Sequence, residues 1–153
     1  MITTDAKHVH WMELALREAE DALSEDEVPV GAVIVKNGII LGRGHNRIKS
    51  LADPTAHAEI IAITAACENV GEPRLEGADL YVTLEPCAMC AGAIVLSKLK
   101  RLYFGTFDLK TGACGSIFDI VREPRLNHQV EVYHDLLAVR SRELLEMFFK
   151  RLR

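Results

Sequence analysis

The stretch DLYVTLEPCAMCAGAIVL, residues 79–96, decides the fold of this chain. Its first six residues, 79–84, predict a β-strand. Glu85-Pro86 then indicates a helix start, and the segment from about Cys87 to Leu96 predicts the helix itself. A strand that leads directly into a helix is the building unit of an α/β sheet.

The segments on the amino-terminal side predict a helix, a hairpin and a second helix. The dipeptide Asn37-Gly38 is a strong signal for a tight turn between two strands. One helix face is lined by apolar side chains at three- and four-residue steps, namely Met12, Leu16, Ala19 and Leu23. The expected elements are a helix from about Asp5 to Ser24, strands at Val28 to Val35 and at Ile39 to Asn46, and a helix from about Ala56 to Asn69, which begins after Asp53-Pro54-Thr55 and ends near Gly71.

On the carboxyl-terminal side, two strands flank a long irregular segment and a helix closes the chain. The strands are expected at Arg101 to Gly105 and at Gln129 to Tyr133, and the helix runs from about Asp135, its N-cap, to the C-terminus. Residues 106–127 are long for a connection in a compact domain and predict a functional loop.

The order of these elements predicts the fold class. Strands that alternate with helices imply parallel pairing, whereas the hairpin implies an antiparallel edge. We therefore expect residues 1–153 to form a single α/β domain. Its mixed five-stranded sheet is covered by helices on both faces, in a three-layer α/β/α arrangement.

Length and composition are those of one ordinary domain. The chain has 153 residues, of which 49% are hydrophobic and 26% charged, and its formal net charge is −4. Nothing approaches the run of about 18 apolar residues that suggests a membrane span, and residues 1–10 lack the apolar part of a secretion signal. We therefore expect a cytoplasmic protein without a membrane partner, whose four cysteines are free thiols or metal ligands.

Positive charge is concentrated in two segments of an otherwise acidic chain. Residues 97–110 carry four cations and one anion, and residues 140–153 carry five cations and two anions, so each segment has a net charge of +3. The remainder must carry −10 to give the total of −4. Two such segments can form a local phosphate-binding surface, although basic runs are also common on solvated helix faces.

Two short motifs carry the chemistry, and both stand where a helix is expected to begin: His57-Ala58-Glu59 and Pro86-Cys87-Ala88-Met89-Cys90. Cys87 and Cys90 are three residues apart on a helix, so both sulfurs face the same way and can reach one ion. The N–H groups and the dipole of a helix start stabilise thiolates, the form that binds zinc. The same CxxC spacing also occurs in thioredoxin-like redox pairs.

His57 extends the cysteine pair to a Cys₂His ligand set. Three protein ligands leave the fourth position of a tetrahedral zinc ion open for water, as in catalytic sites, whereas structural sites close all four positions. Nothing in the sequence brings Cys114 near this set, and Cys67 lies about 15 Å along the helix that His57 begins. The expected cofactor is therefore one zinc ion per chain with a bound water or hydroxide.

Glu59 distinguishes an enzyme from a zinc module that only binds. Positions i and i+2 of a helix point about 200° apart, so Glu59 should not bind the ion beside His57. In the first turn its carboxylate can lean over the helix end, take a proton from zinc-bound water and pass protons to a ring nitrogen and a leaving amine. A first-turn glutamate is also favoured by the helix dipole alone.

The pattern H-x-E followed by P-C-x-x-C matches the known signature of zinc-dependent nucleobase deaminases. Nearly the whole chain resembles the bacterial tRNA-specific adenosine deaminases of the cytidine deaminase superfamily. Thr106 and Cys114 depart from that pattern, because the family usually has smaller residues there. The resemblance rests on the segments VPVGAV (28–33), GHN (44–46), DPTAHAE (53–59), LYVTLEPCAMCAG (80–92), DLKTGACGS (108–116), NH (127–128) and FFK (148–150).

The resemblance implies a cytidine deaminase-like fold and the hydrolysis of adenosine to inosine at the wobble position of a tRNA anticodon. It implies that zinc-bound water attacks C6 of a flipped adenine, with Glu59 as the proton shuttle, and that ammonia is released. It also implies a homodimer whose partner subunit borders the site, with a tRNA anticodon stem-loop as the substrate.

The resemblance further implies two groups of substrate-binding residues. Val30, Ala58, Leu84 and Glu85 would surround the base, and Asn46 would hydrogen-bond it. The residues implied to contact nucleotides of the anticodon loop are Asp108, Lys110, Asn127, Phe148, Phe149 and Lys150. One of the two phenylalanines can equally pack in the core.

Three alternatives remain open at this point. A deaminase of free guanine or cytosine shares the zinc set, so zinc cannot exclude it. What favours RNA is the segment around Asp108 and the basic, aromatic tail. A non-catalytic zinc module that binds nucleic acid is disfavoured by Glu59, and a thioredoxin-like redox protein would not hold stoichiometric zinc.

Overall fold

Residues 5–152 form five α-helices and five strands in the computed structural model. The helices are α1 (Ala6–Ser24), α2 (Ile48–Leu51), α3 (Ala58–Val70), α4 (Ala88–Leu96) and α5 (Ala138–Arg151), with one 3₁₀ turn at Ile120–Arg122. The strands are β1 (Gly31–Lys36), β2 (Ile39–His45), β3 (Asp79–Leu84), β4 (Arg101–Thr106) and β5 (Glu131–Tyr133). Within the part of the chain that the structure describes, no helix is both long enough and apolar enough to cross a bilayer.

The strands form one mixed sheet in the order β2-β1-β3-β4-β5. β1 pairs antiparallel with both β2 and β3, while β4 lies parallel to both β3 and β5. Asn37 and Gly38 make the predicted hairpin turn, with φ angles of 51° and 74°. The sheet thus combines an antiparallel hairpin with parallel strands, which confirms the predicted mixed sheet.

Alternate residues of the strands enter two separate cores. Ile34 and Phe104 pack against the alanines of α3 and the apolar residues of α4. Their neighbours Val33 and Tyr103 face the opposite side and pack with Met12 of α1. Helix α5 contacts β4 and α1, so α1 and α5 share one face of the sheet and α3 and α4 the other. The predicted three-layer arrangement is therefore confirmed.

Helix α3 lies very close to β2, because small residues meet at their contact. A Cβ atom on Gly44 would lie 2.8 Å from the carbonyl oxygen of Ala58 and 2.9 Å from the amide nitrogen of Ala62. Both alanines are fully buried. The contact fixes the first turn of α3, which contains Glu59, against the sheet.

Strand β1 begins three residues later than the apolar pattern predicts. Val28 is not part of the sheet, because its carbonyl oxygen accepts a hydrogen bond of 2.8 Å from the amide of Val30 and so forms a tight turn. Pro29 has no N–H to offer a neighbouring strand. Regular pairing therefore starts only at Gly31.

The prediction that Asp135 is the N-cap of the last helix is wrong. Helix α5 begins at Ala138, and its N-cap is Leu137, with a φ angle of 54°. Asp135 has a φ of 60°, and its carboxylate lies 2.5 Å from Nδ1 of His134 instead of capping the helix. The short helix α2 was also not predicted, since four residues are too few to show a periodic pattern.

Candidate active site

One edge of the sheet gathers the functional motifs. Strands β2, β3 and β4 end at this edge, and the antiparallel strand β1 begins there. Helix α3 starts with His57 as its N-cap and helix α4 with Cys87 as its N-cap. Both residues have extended backbone, and neither side chain is used to cap its own helix. Two helix starts therefore place an imidazole and a thiol, neither of them used as a helix cap, next to each other.

His57, Cys87 and Cys90 form a group that can hold a metal ion. The Sγ atoms of Cys87 and Cys90 each lie 3.6 Å from Nδ1 of His57. Zinc bonds of about 2.3 Å to sulfur and about 2.0–2.1 Å to nitrogen, meeting at the tetrahedral angle, hold the sulfur and the nitrogen about 3.5–3.6 Å apart. The spacing of the three side chains therefore fits a tetrahedral zinc ion.

Within the described part of the chain, no fourth residue completes this group. Among residues 5–152, no further His, Cys, Asp or Glu ligand atom lies within 4.8 Å of all three. Cys67 and Cys114 are free thiols outside the group. Three ligands with one open position are the arrangement of a catalytic zinc site and not of a structural one.

The two cysteines and the histidine are electrostatically coupled. Hydrogen bonds from the Cys90 thiol and from the His57 imidazole lower the pKa of Cys87 to about 4. The hydrogen bond to Cys87, together with burial, raises the pKa of Cys90. One thiolate is thus stabilised within the protein itself, and thiolate is the form of cysteine that binds metals.

Glu59 lies in the first turn of α3, and its side chain reaches the same edge. The residue is only 4% exposed, and burial raises the pKa of its carboxyl to about 7. A carboxyl group that titrates near neutral pH can both take up and release a proton during a reaction. Glu59 is outside the metal-binding group, as the helix geometry predicts.

A cavity of about 220 Å³ opens between these elements. This is below the roughly 300–1,000 Å³ of most ligand pockets and suits one heterocyclic base better than a whole nucleotide. The predicted site residues that line it are Val30, Asn46, His57, Glu59, Leu84, Glu85, Cys87 and Asp108.

The cavity also has lining residues that the sequence did not indicate. They are Val28, Ile48 and Thr111. Val28 precedes β1, Ile48 begins the unpredicted helix α2, and Thr111 lies in an irregular loop. No residue pattern marks Ile48, because its place depends on a distant contact: buried Glu27 accepts hydrogen bonds from the amides of Lys49 and Ser50 and so holds α2 in place.

Asn46 and Ala58 are joined by a hydrogen bond that supports the site. The amide of Ala58 donates to Oδ1 of Asn46 at 2.8 Å. Because the His57 side chain does not cap α3, Asn46 satisfies one of the free N–H groups at that helix start. Ala58 is fully buried, so it contributes backbone and not side-chain surface, and the NH₂ group of Asn46 is its remaining donor.

A second, larger cavity of about 660 Å³ lies beside the first, between α5 and the loop after β4. Three cations, one anion and two aromatic rings share this groove, namely Lys110, Arg142, Lys150, Glu146, Phe107 and Phe149. Phe149 is 47% exposed, whereas Phe148 is half-buried and packs edge-on against Phe149 at 5.3 Å. Of the two phenylalanines, Phe149 is thus the one that faces the groove.

Asn127 lies away from both cavities. Its Oδ1 accepts a hydrogen bond of 3.1 Å from Nζ of Lys98, which precedes β4. The start of β4 is the opposite end of the parallel strands from Cys87, about 16 Å away at 3.3 Å per residue. The structure therefore does not bring Asn127 together with the other predicted substrate residues.

Comparisons with known proteins agree with this geometry. A profile of the MafB19-like deaminase family matches residues 6–153. A tRNA-specific adenosine deaminase of Agrobacterium fabrum is 50% identical over 145 residues, which cover 95% of this chain and 95% of that protein.

Solved structures share the fold. One, from a study of A-to-I editing by tRNA:A34 deaminases at the wobble position of transfer RNA, has a TM-score of 0.86 and 51% identity and covers 89% of this chain and 99% of its own. A guanine deaminase of Bacillus subtilis is more distant, with a TM-score of 0.64 and 30% identity over 84% of this chain and 83% of its own.

Proposed function

The chain belongs to the tRNA-specific adenosine deaminases, and from this membership we propose that it hydrolyses adenosine to inosine at the wobble position of a tRNA anticodon. The observation that carries the proposal is the Cys₂His group with an open position beside a buried carboxyl, in a chain about half identical to such enzymes. A tRNA substrate also agrees with the expected cytoplasmic location.

His57, Cys87 and Cys90 would hold a zinc ion in this chain. Their donor set of one nitrogen and two sulfurs suits zinc, and their 3.6 Å spacing fits its bond lengths. Zinc, when bound, supplies Lewis acidity that lowers the pKa of a water molecule and so makes a nucleophile available near neutral pH.

Glu59 would move the protons of the reaction. Its carboxylate takes one proton from the attacking water, whose oxygen forms a bond to C6 of adenine. The carboxyl then gives that proton to the ring nitrogen N1. The carboxylate next takes the remaining proton from the new hydroxyl on C6 and gives it to the exocyclic amine, which leaves as ammonia as the C6–N bond breaks and the C6 carbonyl forms. Water and adenosine are thereby converted to inosine and ammonia, and Glu59 returns to its starting state.

The small cavity would hold the flipped base. Val30 and Leu84 offer apolar contact on its walls, and the NH₂ group of Asn46 can donate a hydrogen bond to a ring nitrogen. Reading a base by a few fixed polar groups between apolar walls is how enzymes of this class select an extruded base.

The larger groove would hold the nucleotides on either side of that base. Lys110 and Lys150 are placed for phosphates, and the exposed ring of Phe149 offers a stacking surface. Asp108 lines the small cavity, whereas its sequence neighbours Phe107 and Lys110 line the groove. Phe148 would act by supporting Phe149, and a contact between Asn127 and RNA stays a prediction.

The substrate is tested by direct competition between RNA and free bases. We expect an anticodon stem-loop with adenosine at the wobble position to have a kcat/KM at least about 100-fold above that of guanine or cytosine, because the groove contacts are available only to RNA. Inosine in the RNA and ammonia release from the bases are measured. A matched stem-loop with guanosine at the wobble position is the control. If either free base is turned over faster, the tRNA assignment is wrong.

We also propose that the protein acts as a homodimer, and helix α4 supports this. Its sequence, AMCAGAIVL, has no charged side chain, yet Met89 and Leu96 are 37% and 78% exposed. Gly92 lies between them with open space beside it. A helix that is apolar all round is normally covered on every side, so this face fits a second subunit.

The oligomeric state provides a simple test. We expect sedimentation equilibrium to give twice the mass of one chain, and Leu96→Lys to shift the protein toward monomer, because a charge would be buried in the interface. Ile39→Lys is the matched control, since Ile39 is 63% exposed on the edge strand β2. A wild-type protein of single-chain mass at micromolar concentration would exclude the dimer.

A further inference from the structure

The side chain of Glu85 is enclosed by the loop that follows β4, which we define as loop 107–119. Its Oε1 accepts hydrogen bonds from the amide of Asp108 at 3.0 Å and from the hydroxyl of Ser116 at 2.5 Å. Its Oε2 accepts from the amides of Cys114 and Ser116, both at 3.0 Å. The residue is only 2% exposed. Four donors from one loop therefore converge on one buried carboxylate.

The loop is shaped to fit around this carboxylate. A Cβ atom on Gly112 would lie 2.3 Å from Cδ of Glu85, so the loop can close only with glycine there. Beside it, the amide of Ala113 donates to the carbonyl of Pro86 at 2.8 Å. The amide of Glu85 itself donates to the carbonyl of Thr106 at 2.9 Å, where the loop departs. The carboxylate and the backbone together tie the loop to the segment that carries Cys87.

Loop 107–119 supplies one wall of each cavity. Asp108 and Thr111 line the small cavity, whereas Phe107 and Lys110 line the larger groove. Asp108 also forms a local turn, in which its Oδ1 accepts from the amides of Lys110 and Thr111. A displacement of this loop would thus alter both the mouth of the base pocket and the neighbouring groove.

We propose that Glu85 is a positioning residue for RNA binding: it holds loop 107–119 in the shape that receives the nucleotides beside the base, and does not itself bind the substrate. Its four lone-pair directions are all used by the loop, so none remains for a ligand. This inference rests on the proposed tRNA substrate, because only RNA would extend from the small cavity into the groove that Phe107 and Lys110 of the loop line.

Glutamine is the informative substitution at this position. Three of the four partners are backbone amides, which can only donate. In Glu85→Gln, the new NH₂ group must therefore face at least one amide donor, whichever way the side chain is turned. The substitution keeps the size of the side chain and the glycine contact but removes at least one hydrogen bond at the centre of the loop.

The experiment compares wild-type protein with Glu85→Gln in the deamination of an adenosine-wobble stem-loop. We expect KM to rise about tenfold while kcat stays within about twofold, since the metal group and Glu59 are not part of the loop. Zinc content should be unchanged, and hydrogen exchange at the amides of residues 108, 114 and 116 should be faster. The matched control is Glu131→Gln, at the opposite end of the parallel strands, which should change none of these values.

Each other outcome has a defined meaning. A loss that falls mainly on kcat, or no change in either constant, overturns the positioning role, as does unchanged exchange at the three amides. If Glu85→Gln does not fold, Ser116→Ala decides the matter: it removes one of the four bonds and must raise KM and amide exchange to a smaller extent. Failure of the wild-type protein to deaminate the stem-loop would instead disprove the substrate, while amide exchange would still report whether Glu85 holds the loop.

Discussion

Replacing Glu59 with glutamine is expected to lower kcat on the stem-loop by roughly 10²- to 10⁴-fold, the usual contribution of a general acid–base group. The amide has nearly the size of the carboxyl but cannot carry protons between water, N1 and the leaving amine. Because Glu59 is not among the three ligands, zinc should stay at about one ion per chain. The free energy of unfolding should change by less than about 1 kcal/mol, since glutamine nearly preserves the volume of the side chain and leaves no cavity.

The result separates a catalytic glutamate from one that only favours its helix. A first-turn glutamate contributes about 0.3–1 kcal/mol to stability through the helix dipole and nothing to the rate. The measurements are single-turnover inosine formation, zinc content and urea unfolding. Glu68→Gln makes the same chemical change further along α3 and serves as the control. Full activity in the Glu59 variant would remove this residue from the mechanism.

Replacing Cys90 with serine is expected to abolish zinc binding and activity together. Serine offers a neutral hydroxyl in place of a thiolate, and the site has no spare protein ligand among residues 5–152 to compensate. Zinc content should fall from about one ion per chain to less than about a tenth, and turnover should fall by more than about 10³-fold. Chelation of wild-type protein should have the same effect, and added zinc should reverse it.

Cys67→Ser is the matched control for this experiment. Cys67 is a half-buried thiol in α3, outside the metal-binding group. It should therefore retain zinc and activity. Loss of zinc in the Cys67 variant, or retention of zinc and turnover in the Cys90 variant, would contradict the ligand set and require a different metal site.

The cysteine pair of the metal-binding group was predictable because it depends on local spacing. Cys87 and Cys90 lie three residues apart at one helix start, and that relation survives in any fold that keeps the helix. The approach of His57 could not be derived from spacing alone, since it depends on where α3 and α4 meet the sheet. The match to a known signature supplied that information.

The role of Glu85 shows what the sequence could not reveal. The family resemblance implied that Glu85 borders the base; it does line the small cavity, but its carboxylate accepts hydrogen bonds from amides 23 to 31 residues later in the chain. Backbone donors carry no side-chain signal, so no residue pattern marks them. The Asp135 prediction failed for a different reason: its carboxylate pairs with Nδ1 of the adjacent His134, and the helix begins only at Ala138.

The metal-binding group and loop 107–119 are carried by different elements of the fold, and this has an evolutionary consequence. His57, Glu59 and Cys87 stand on two helix starts, whereas the loop arrives from another strand and meets them only at the sheet edge. Selection can therefore change the loop side chains that line the cavities, such as Asp108 and Lys110, to admit a different base or polymer, while Glu85 and Gly112 keep the loop tied beside the metal group. One fold can in this way acquire a wider range of substrates while the reaction that it catalyses stays the same.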